Sequence, residues 1–294
     1  LKSVSVQTFA AIEVIMVNDG SHDSSAEICA RFAAADPRFR LLDLPNRGVS
    51  AARNAGIDHA RGRFISFIDA DDTMHPRLIE RLVTTARRHE ADIVIAAHSF
   101  GTEPRFSDRD SAPEIFTPEQ ITELGLYKRR KVTAVWAGIM HRSIFDGGLR
   151  FREGIRFEDL DIFYRILLAG HRIALIPDRL YFYRKNGSSF LNTFSEGRFD
   201  ALDVTDRMLE YMEARSPRLR RAARDRRFGA HFNALLLMLE HDASRPAAME
   251  RCLGVIRAER WREIFNPKVK MKNRLGAIAS FGSLRLLRFL NRYV

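Results

Sequence analysis

Four clusters of residues in this chain have the types and spacing needed for chemistry. Asn18-Asp19-Gly20-Ser21 and Asp69-Ala70-Asp71-Asp72 are acidic turns, each directly following a short apolar run. Three carboxylates within four residues repel one another, and a divalent cation with oxygen ligands relieves that repulsion. Asp71 or Asp72 would alternatively serve as N-cap of the helix that follows. Asn46-Arg47-Gly48-Val49-Ser50-Ala51-Ala52-Arg53-Asn54-Ala55-Gly56 combines small residues with one arginine fork, Arg53, suited to a phosphate or a nucleobase edge. Phe157-Glu158-Asp159-Leu160-Asp161 opens a helical pattern with acids in its first turn, where the helix dipole favours them whether or not they act as a base.

The elements that must position these clusters follow from hydrophobic periodicity. Short β-branched runs at Glu13–Val17, Arg40–Leu44, Arg63–Ile68 and Asp92–Ala97 alternate with helical patterns at Ser24–Ala35, Val49–Ala60 and Pro76–Glu90. That alternation predicts a mostly parallel sheet with helices on both faces. The two acidic turns then fall at carboxyl ends of strands, where open α/β sheets gather their functional groups. Gly101–Pro113 is polar and reads as a loop. Helices are expected at Thr117–Tyr127 and Glu158–Ala169, and two short strands at Ile173–Ile176 and Arg179–Tyr183. From about Gly197 the pattern is helical, with breaks at Pro217, Pro246 and Pro267. We expect a sheet-bearing domain over 1–195 and a helical region over 196–294.

Composition narrows the class. The 294 residues are 46% hydrophobic, enough for a sizeable core, and no apolar run approaches the roughly 20 residues of a membrane span. Cys29 and Cys252 have no partner spacing for a disulfide framework or a zinc site, and a reducing, cytoplasmic compartment is expected. The net charge is +11, and residues 201–294 hold 20 Lys and Arg against 10 Asp and Glu. The excess is therefore C-terminal. From Lys268 onward there are seven cations and no acid. Leu284, Leu286, Leu287, Phe289 and Leu290 interleave with Arg285, Arg288 and Arg292, a pattern equally suited to an anionic membrane surface and to packing on the rest of the chain. No nucleic-acid-binding motif accompanies the charge, and no nucleic acid is expected as partner.

With these motifs in hand, the sequence resembles the family-2 inverting glycosyltransferases of GT-A fold. The resemblance is carried by LKSVSVQT at Leu1–Thr8, IEVIMVNDGS at Ile12–Ser21, NRGVSAARNAG at Asn46–Gly56, FISFIDADD at Phe64–Asp72 and FEDLDIF at Phe157–Phe163. It implies an α/β nucleotide-diphospho-sugar transferase fold. It also implies that Asp19 contacts the nucleobase of a sugar nucleotide, and that Asp69 and Asp71 are the outer positions of the DxD element, touching the ribose and a metal-bound diphosphate. Arg53 joins the donor-binding set, Asp72 shares or takes the Mn²⁺ or Mg²⁺, and Asp159 is the base that deprotonates the acceptor. The expected partners are a nucleotide-sugar donor and a glycan or lipid-linked acceptor in cell-surface polysaccharide synthesis, with peripheral contact at the inner face of the membrane. The competing expectation is a degenerate domain that binds nucleotide sugar or glycan without turnover.

Two positions depart from the family pattern. Asn18 stands where an Asp is usual, and the strand with a Pro-x-Tyr-Asn-like turn that should precede LKSVSVQT is missing. That strand would lie beside Glu13–Val17, so the sequence is expected to be a fragment, or a late start, of a longer protein. Trp136 suits either an acceptor-sugar platform or a buried core position. Tyr183-Arg184-Lys185 is a candidate neighbour of the diphosphate, and His141 and His171 lack ligand spacing.

Overall fold

A computed structural model of the chain describes residues 1–130, 132, 134–185, 196–241 and 245–282. The amphipathic segment expected at 284–292 lies outside the described residues. The chain divides into two compact units, one of Leu1–Ile121 with Val132–Gly187 and the other of Thr122–Lys131 with Ser188–Val294.

The first unit opens with a short helix, α1 (Lys2–Ser5), followed by strand β1 (Val14–Asp19), helix α2 (Ser25–Ala35), strand β2 (Phe39–Leu44) and helix α3 (Val49–His59). β1 and β2 pair in parallel over six residues, from Val14 with Phe39 to Asp19 with Leu44. Strands β3 (Phe64–Ile65) and β4 (Thr73–Met74) flank the second acidic turn. Helix α4 (Leu78–His89), strands β5 (Ile93–Gly101) and β6 (Glu114–Phe116), helix α5 (Pro118–Leu126), strand β7 (Gly138–His141), helices α6 (Ser143–Asp146) and α7 (Glu158–Ala169) and strand β8 (Ile173–Arg184) complete the order. These strands form a mixed sheet, β3-β7-β5-β8-β4, with β6 also on β8. The two parallel ladders, β1 with β2 and β5 with β8, are the longest, and the antiparallel ones span two or three pairs each. Among the described strands, β1 pairs only with β2 and β3 only with β7.

The core sits on β5 and β8. Ile93, Val94, Ile95 and Ala96 are all buried, as are Ile173 to Ile176, so both strands are covered on both faces and read as continuous apolar runs. Leu78, Leu82, Val83 and Ala86 of α4 pack into the same cluster.

Two expectations need correction. The pair of short strands at 173–176 and 179–183 is one strand, β8, in which Pro177 and Asp178 interrupt the register with β5. The expected strand over 63–68 pairs only at Phe64 and Ile65, with Phe67 bridging Trp136 beyond it. The polar segment after Gly101 is a loop as expected, and it is anchored. Arg77, just before α4, and Arg81 on it bind Asp108 and Asp110, and Arg81 also reaches Asp178 at 3.2 Å.

The second unit is helical: α8 (Asp200–Arg215), α9 (Arg220–Glu240), α10 (Pro246–Phe265) and α11 (Met271–Ala279) pack in sequence around Phe228, Phe232, Leu235, Met238, Cys252, Ile256 and Ala277. Pro217 lies in the short 3₁₀ turn between α8 and α9, Pro246 starts α10 and Pro267 follows it, so each expected break ends or begins a helix. No sequence pattern marks Thr122–Lys131 as belonging here. Individual contacts bind it: Lys268 Nζ lies 2.6 Å from Glu123 and Asn266 donates to the Tyr127 hydroxyl at 3.2 Å.

Gly20 closes the first acidic turn with φ +69, and a Cβ there would sit 2.8 Å from the Asn46 backbone nitrogen. The close approach of that turn to the segment before α3 therefore requires glycine. Gly20→Ala should lower stability by at least about 1–2 kcal/mol from the left-handed backbone alone. Urea denaturation with an unchanged midpoint would refute this packing.

Candidate active site

Arg53 projects from α3, and its guanidinium is held by three carboxylates. It donates to Asp69 at 2.9 Å, to Glu158 at 2.9 Å and to Asp159 at 2.8 Å, while packing over the Phe151 ring. The second acidic turn and the start of α7, 86 or more residues apart in sequence, are thereby joined through one side chain. Its neighbour Asn54 fixes the intervening segment, donating to the Phe151 carbonyl and accepting from the Phe151 N–H at 2.8 Å. Burial disfavours the charge on Arg53, but Asp159, Asp69 and Glu158 more than offset it and hold the group firmly protonated.

Asp159 behaves in the opposite sense. Burial, reinforced by Glu158 and Asp69, outweighs the attraction of Arg53 and pushes its carboxyl up to about 7. A carboxyl poised near neutrality suits proton transfer, because both forms are accessible at the working pH. α7 begins without a side-chain cap, and Phe157 at its start has φ +60, an uncommon conformation for a residue with a side chain. Glu158, Asp159 and Asp161 in the first turn complement the helix dipole in place of a cap.

Within the second acidic turn the carboxylates divide. Asp72 is buried and both of its oxygens are engaged, one by the Tyr181 hydroxyl at 2.6 Å and the other by the Arg184 N–H at 2.9 Å. Burial nevertheless pushes it up to about 6. The Tyr181 hydroxyl also accepts from the Asp69 N–H at 3.4 Å, and Arg184 Nε donates to the Asp71 carbonyl, so the end of β8 fixes the turn. Asp71 is exposed. Neither Asp71 nor Asp72 caps α4, whose N-cap is Arg77. The Tyr183 phenol is pushed up by burial and by Asp72, Asp71, Asp69 and Asp159.

Asp19 lies at the end of β1, and its two oxygens accept the N–H groups of Arg47 at 2.8 Å and Gly48 at 2.7 Å. It holds the entry to α3, whose N-cap, Gly48, has φ +91. Asn18, where an Asp is usual, donates to Asp43 on β2 at 2.6 Å and accepts from the Ser21 N–H. Trp136 is buried and stacked on Tyr181 and Tyr183, with ring centroids 5.0 and 5.5 Å apart, which settles it as a packing residue. His141 accepts from the Ser143 N–H and packs on Phe64, and His171 is exposed.

The sequence did not single out Tyr181, Phe151 or Asn54. Tyr181 is one of several apolar residues in β8, and only its hydroxyl distinguishes it. Phe151 and Asn54 gain their roles from a contact between segments 97 residues apart, and neither carries a local signal.

The profile described as glycosyl transferase family 2 matches residues 1–150 of this chain. The chain belongs to that family. Among relatives of this family 2 member, the glycosyltransferase EpsJ of Bacillus subtilis is 34% identical over 194 residues, 62% of this chain and 55% of EpsJ. The succinoglycan biosynthesis protein ExoO of Rhizobium meliloti is 32% identical over 216 residues, 70% of this chain and 62% of ExoO. The chain thus spans less than two thirds of the length of either. The crystal structure of residues 1–349 of S. aureus TarS in complex with UDP-GlcNAc superposes with a TM-score of 0.70 at 17% identity, covering 99% of this chain and 86% of that one. That likeness establishes the fold, an α/β GT-A architecture with a helical C-terminal region.

Two measurements test the geometry. Arg53→Gln removes the cation that lowers Asp159, so the Asp159 carboxyl, followed by ¹³C NMR, should titrate near 7 in the parent chain and higher in the variant. Tyr181→Phe leaves Asp72 buried with one partner fewer and should cost about 1–3 kcal/mol in urea unfolding. An unchanged midpoint would mean that the hydroxyl does not anchor the turn.

Proposed function

We propose that this chain carries the catalytic region of a metal-dependent, inverting glycosyltransferase. It moves a sugar from a nucleoside diphosphate to a glycan or lipid-linked acceptor in cell-surface polysaccharide synthesis. The observation that carries the reading is Arg53 tying Asp69 of the acidic turn to Asp159 of α7. Donor-side and acceptor-side carboxylates are then close enough to act on one sugar carbon. The family supports glycosyl transfer, the role of ExoO in succinoglycan biosynthesis supports polysaccharide synthesis, and the UDP-GlcNAc bound by TarS supports a nucleotide-sugar donor.

In this reading Asp159 takes the proton of the acceptor hydroxyl, which is a poor nucleophile at neutral pH, and so contributes about 10²–10⁴-fold to the rate. The freed oxygen attacks the anomeric carbon from the side opposite the diphosphate, and a single displacement inverts the configuration. Arg53 fixes the position and charge of both Asp159 and Asp69. Asp69 and Asp19 are assigned to the nucleoside, Asp19 through the turn that it already organises before α3.

The residues of the acidic turn fit a hard divalent cation in donor type, since they offer oxygen alone. Asp71, exposed at the turn, is the carboxylate we assign to Mn²⁺ or Mg²⁺, with Asp72 committed to Tyr181 and Arg184 behind it. Such ions commonly take one or two carboxylates and complete their shell with phosphate and water. Bound there, the ion would supply Lewis-acid stabilisation of the leaving diphosphate.

No helix among the described residues is long and apolar enough to cross a membrane. Contact with the inner face of an anionic membrane is proposed on the strength of the C-terminal charge.

Asp71→Ala should abolish Mn²⁺-dependent donor binding in calorimetric titration against UDP, GDP, dTDP and CMP sugars, and unchanged affinity would remove the metal assignment. Asp159→Asn should leave donor binding nearly intact while transfer falls by about 10²–10⁴-fold. In the parent chain the transfer rate should rise with pH, reach half its maximum near pH 7 as the base form of Asp159 becomes populated, and level off above that. A rate independent of pH from 5 to 8 would rule out Asp159 as the base.

A further inference from the structure

Six large apolar side chains of the helical unit are exposed within a span of 21 residues. Trp261 and Phe265 lie near the end of α10, Met271, Leu275 and Ile278 on α11, and Phe281 just beyond it, each between 46% and 71% exposed. They form one strip. Met271, Leu275 and Ile278 follow the i, i+4, i+7 spacing of a single helical face. Phe281 lies three residues past Ile278 and its ring packs 4.8 Å from Trp261, which in turn stacks on Phe265. The opposite side of α11 is turned inward: Gly276 and Ala277 are buried, and a Cβ at Gly276 would meet the Phe232 ring at 2.5 Å. The helix therefore seats itself with its smallest residues and leaves its largest ones outside. Contiguous exposed apolar surface of this kind marks an interaction site in soluble domains.

Charge on the same face selects the partner. Trp261 and Phe265 also line a cleft of about 530 Å³ whose other walls include Arg220, Arg221, Arg224 and Arg262. Ion pairs engage two of these four guanidiniums, Arg262 with Glu259 at 3.2 Å and Arg224 with Glu213 at 3.1 Å and Glu259 at 3.8 Å, whereas Arg220 and Arg221 are exposed. Burial beside Asp225 pushes the Glu263 carboxyl up, towards its neutral form. One buried oxygen of Glu263, at the cleft wall, has no hydrogen-bond partner within the protein. Lys270 and Lys272 flank the strip, and no acid follows Glu263 in the sequence. Aromatic and aliphatic side chains beside a cationic cleft match an amphiphile with an anionic head and an apolar body.

We propose that this face docks onto an anionic phospholipid bilayer, the strip entering the interface and the arginine cleft taking a lipid phosphate. The proposal rests on the membrane contact put forward above and assigns it to 261–281 together with the cleft, rather than to the segment at 284–292.

The test is co-sedimentation of the full chain with vesicles of phosphatidylcholine alone or mixed equally with phosphatidylglycerol. The parent chain should bind only the mixed vesicles. The triple variant Trp261→Ser, Leu275→Ser, Ile278→Ser replaces exposed residues, keeps the fold, and should lower partitioning by about tenfold or more. Arg220→Glu with Arg221→Glu should do the same. In mixed vesicles bearing brominated acyl chains, Trp261 emission should be quenched in the parent chain. If both of these variants bind like the parent while Arg285→Glu, Arg288→Glu, Arg292→Glu loses binding, the membrane contact stands and this face is the wrong one. If the parent chain binds neither vesicle, both proposals fall. Self-association that the serine variant abolishes, without vesicle binding, would make a second copy of the chain the occupant and overturn the proposal.

Discussion

The site depends on one arginine neutralising three carboxylates. Asp69, Glu158 and Asp159 would repel one another if brought together unpaired, and each is partly withdrawn from water. Arg53 makes the arrangement tenable because its planar fork offers several donors in fixed directions; a lysine ammonium could not span the acidic turn and the start of α7 with the same geometry. The same interaction explains the tuning of Asp159. Arg53 pulls its carboxyl down, burial and two like charges push it up, and the balance leaves it near neutrality. A stronger cation contact would make Asp159 a poorer base, and a weaker one would leave it protonated.

The acidic turn shows how adjacent identical residues come to differ. Asp72 points into the protein, where Tyr181 and the end of β8 consume its oxygens, and this fixes the backbone that presents Asp71 outward. Asp19 follows a related logic at the other strand end: its carboxylate satisfies backbone donors before α3 and so sets the helix that carries Arg53. Two of the acids that sequence motifs would assign to ligands are thus already holding the loops in place. Their structural and binding roles are compatible because a carboxylate that shapes a loop also places that loop's groups against a ligand.

The alternation of apolar runs and helical periods was legible in the sequence through α4 and β5, because burial on both faces leaves a continuous apolar signature at Ile93–Ala96. The proline breaks between the C-terminal helices were equally plain. The sequence shows two short apolar runs on either side of Pro177-Asp178 where the structure has the single strand β8; the ladder absorbs the interruption as a register shift, a choice that depends on β5 alongside. At the site, the clusters containing Arg53, Asp69, Asp72 and Asp159 were visible as local motifs, but their mutual contacts were not. The pairing of Arg53 with carboxylates, the Tyr181 anchor and the Phe151 platform all arise between segments distant in sequence, where no periodicity carries information.

The helical unit raises a question of economy that the catalytic chemistry does not answer. A helix as short as α11 is not stable by itself in water and relies on packing for its existence. The usual solution buries its largest apolar residues. Here Gly276 and Ala277 take the buried side, and Met271, Leu275 and Ile278 remain in water beside Trp261, Phe265 and Phe281. Such an inversion sacrifices stability and solubility unless a partner covers the surface, and the exposed Arg220 and Arg221 of the adjoining cleft favour an anionic one. Under the proposed reading, with the acceptor anchored in a lipid phase, the same surface would have a kinetic consequence: residence at the membrane would turn the search for acceptor into a local one and raise its effective concentration without any new contact at the carboxylates around Arg53.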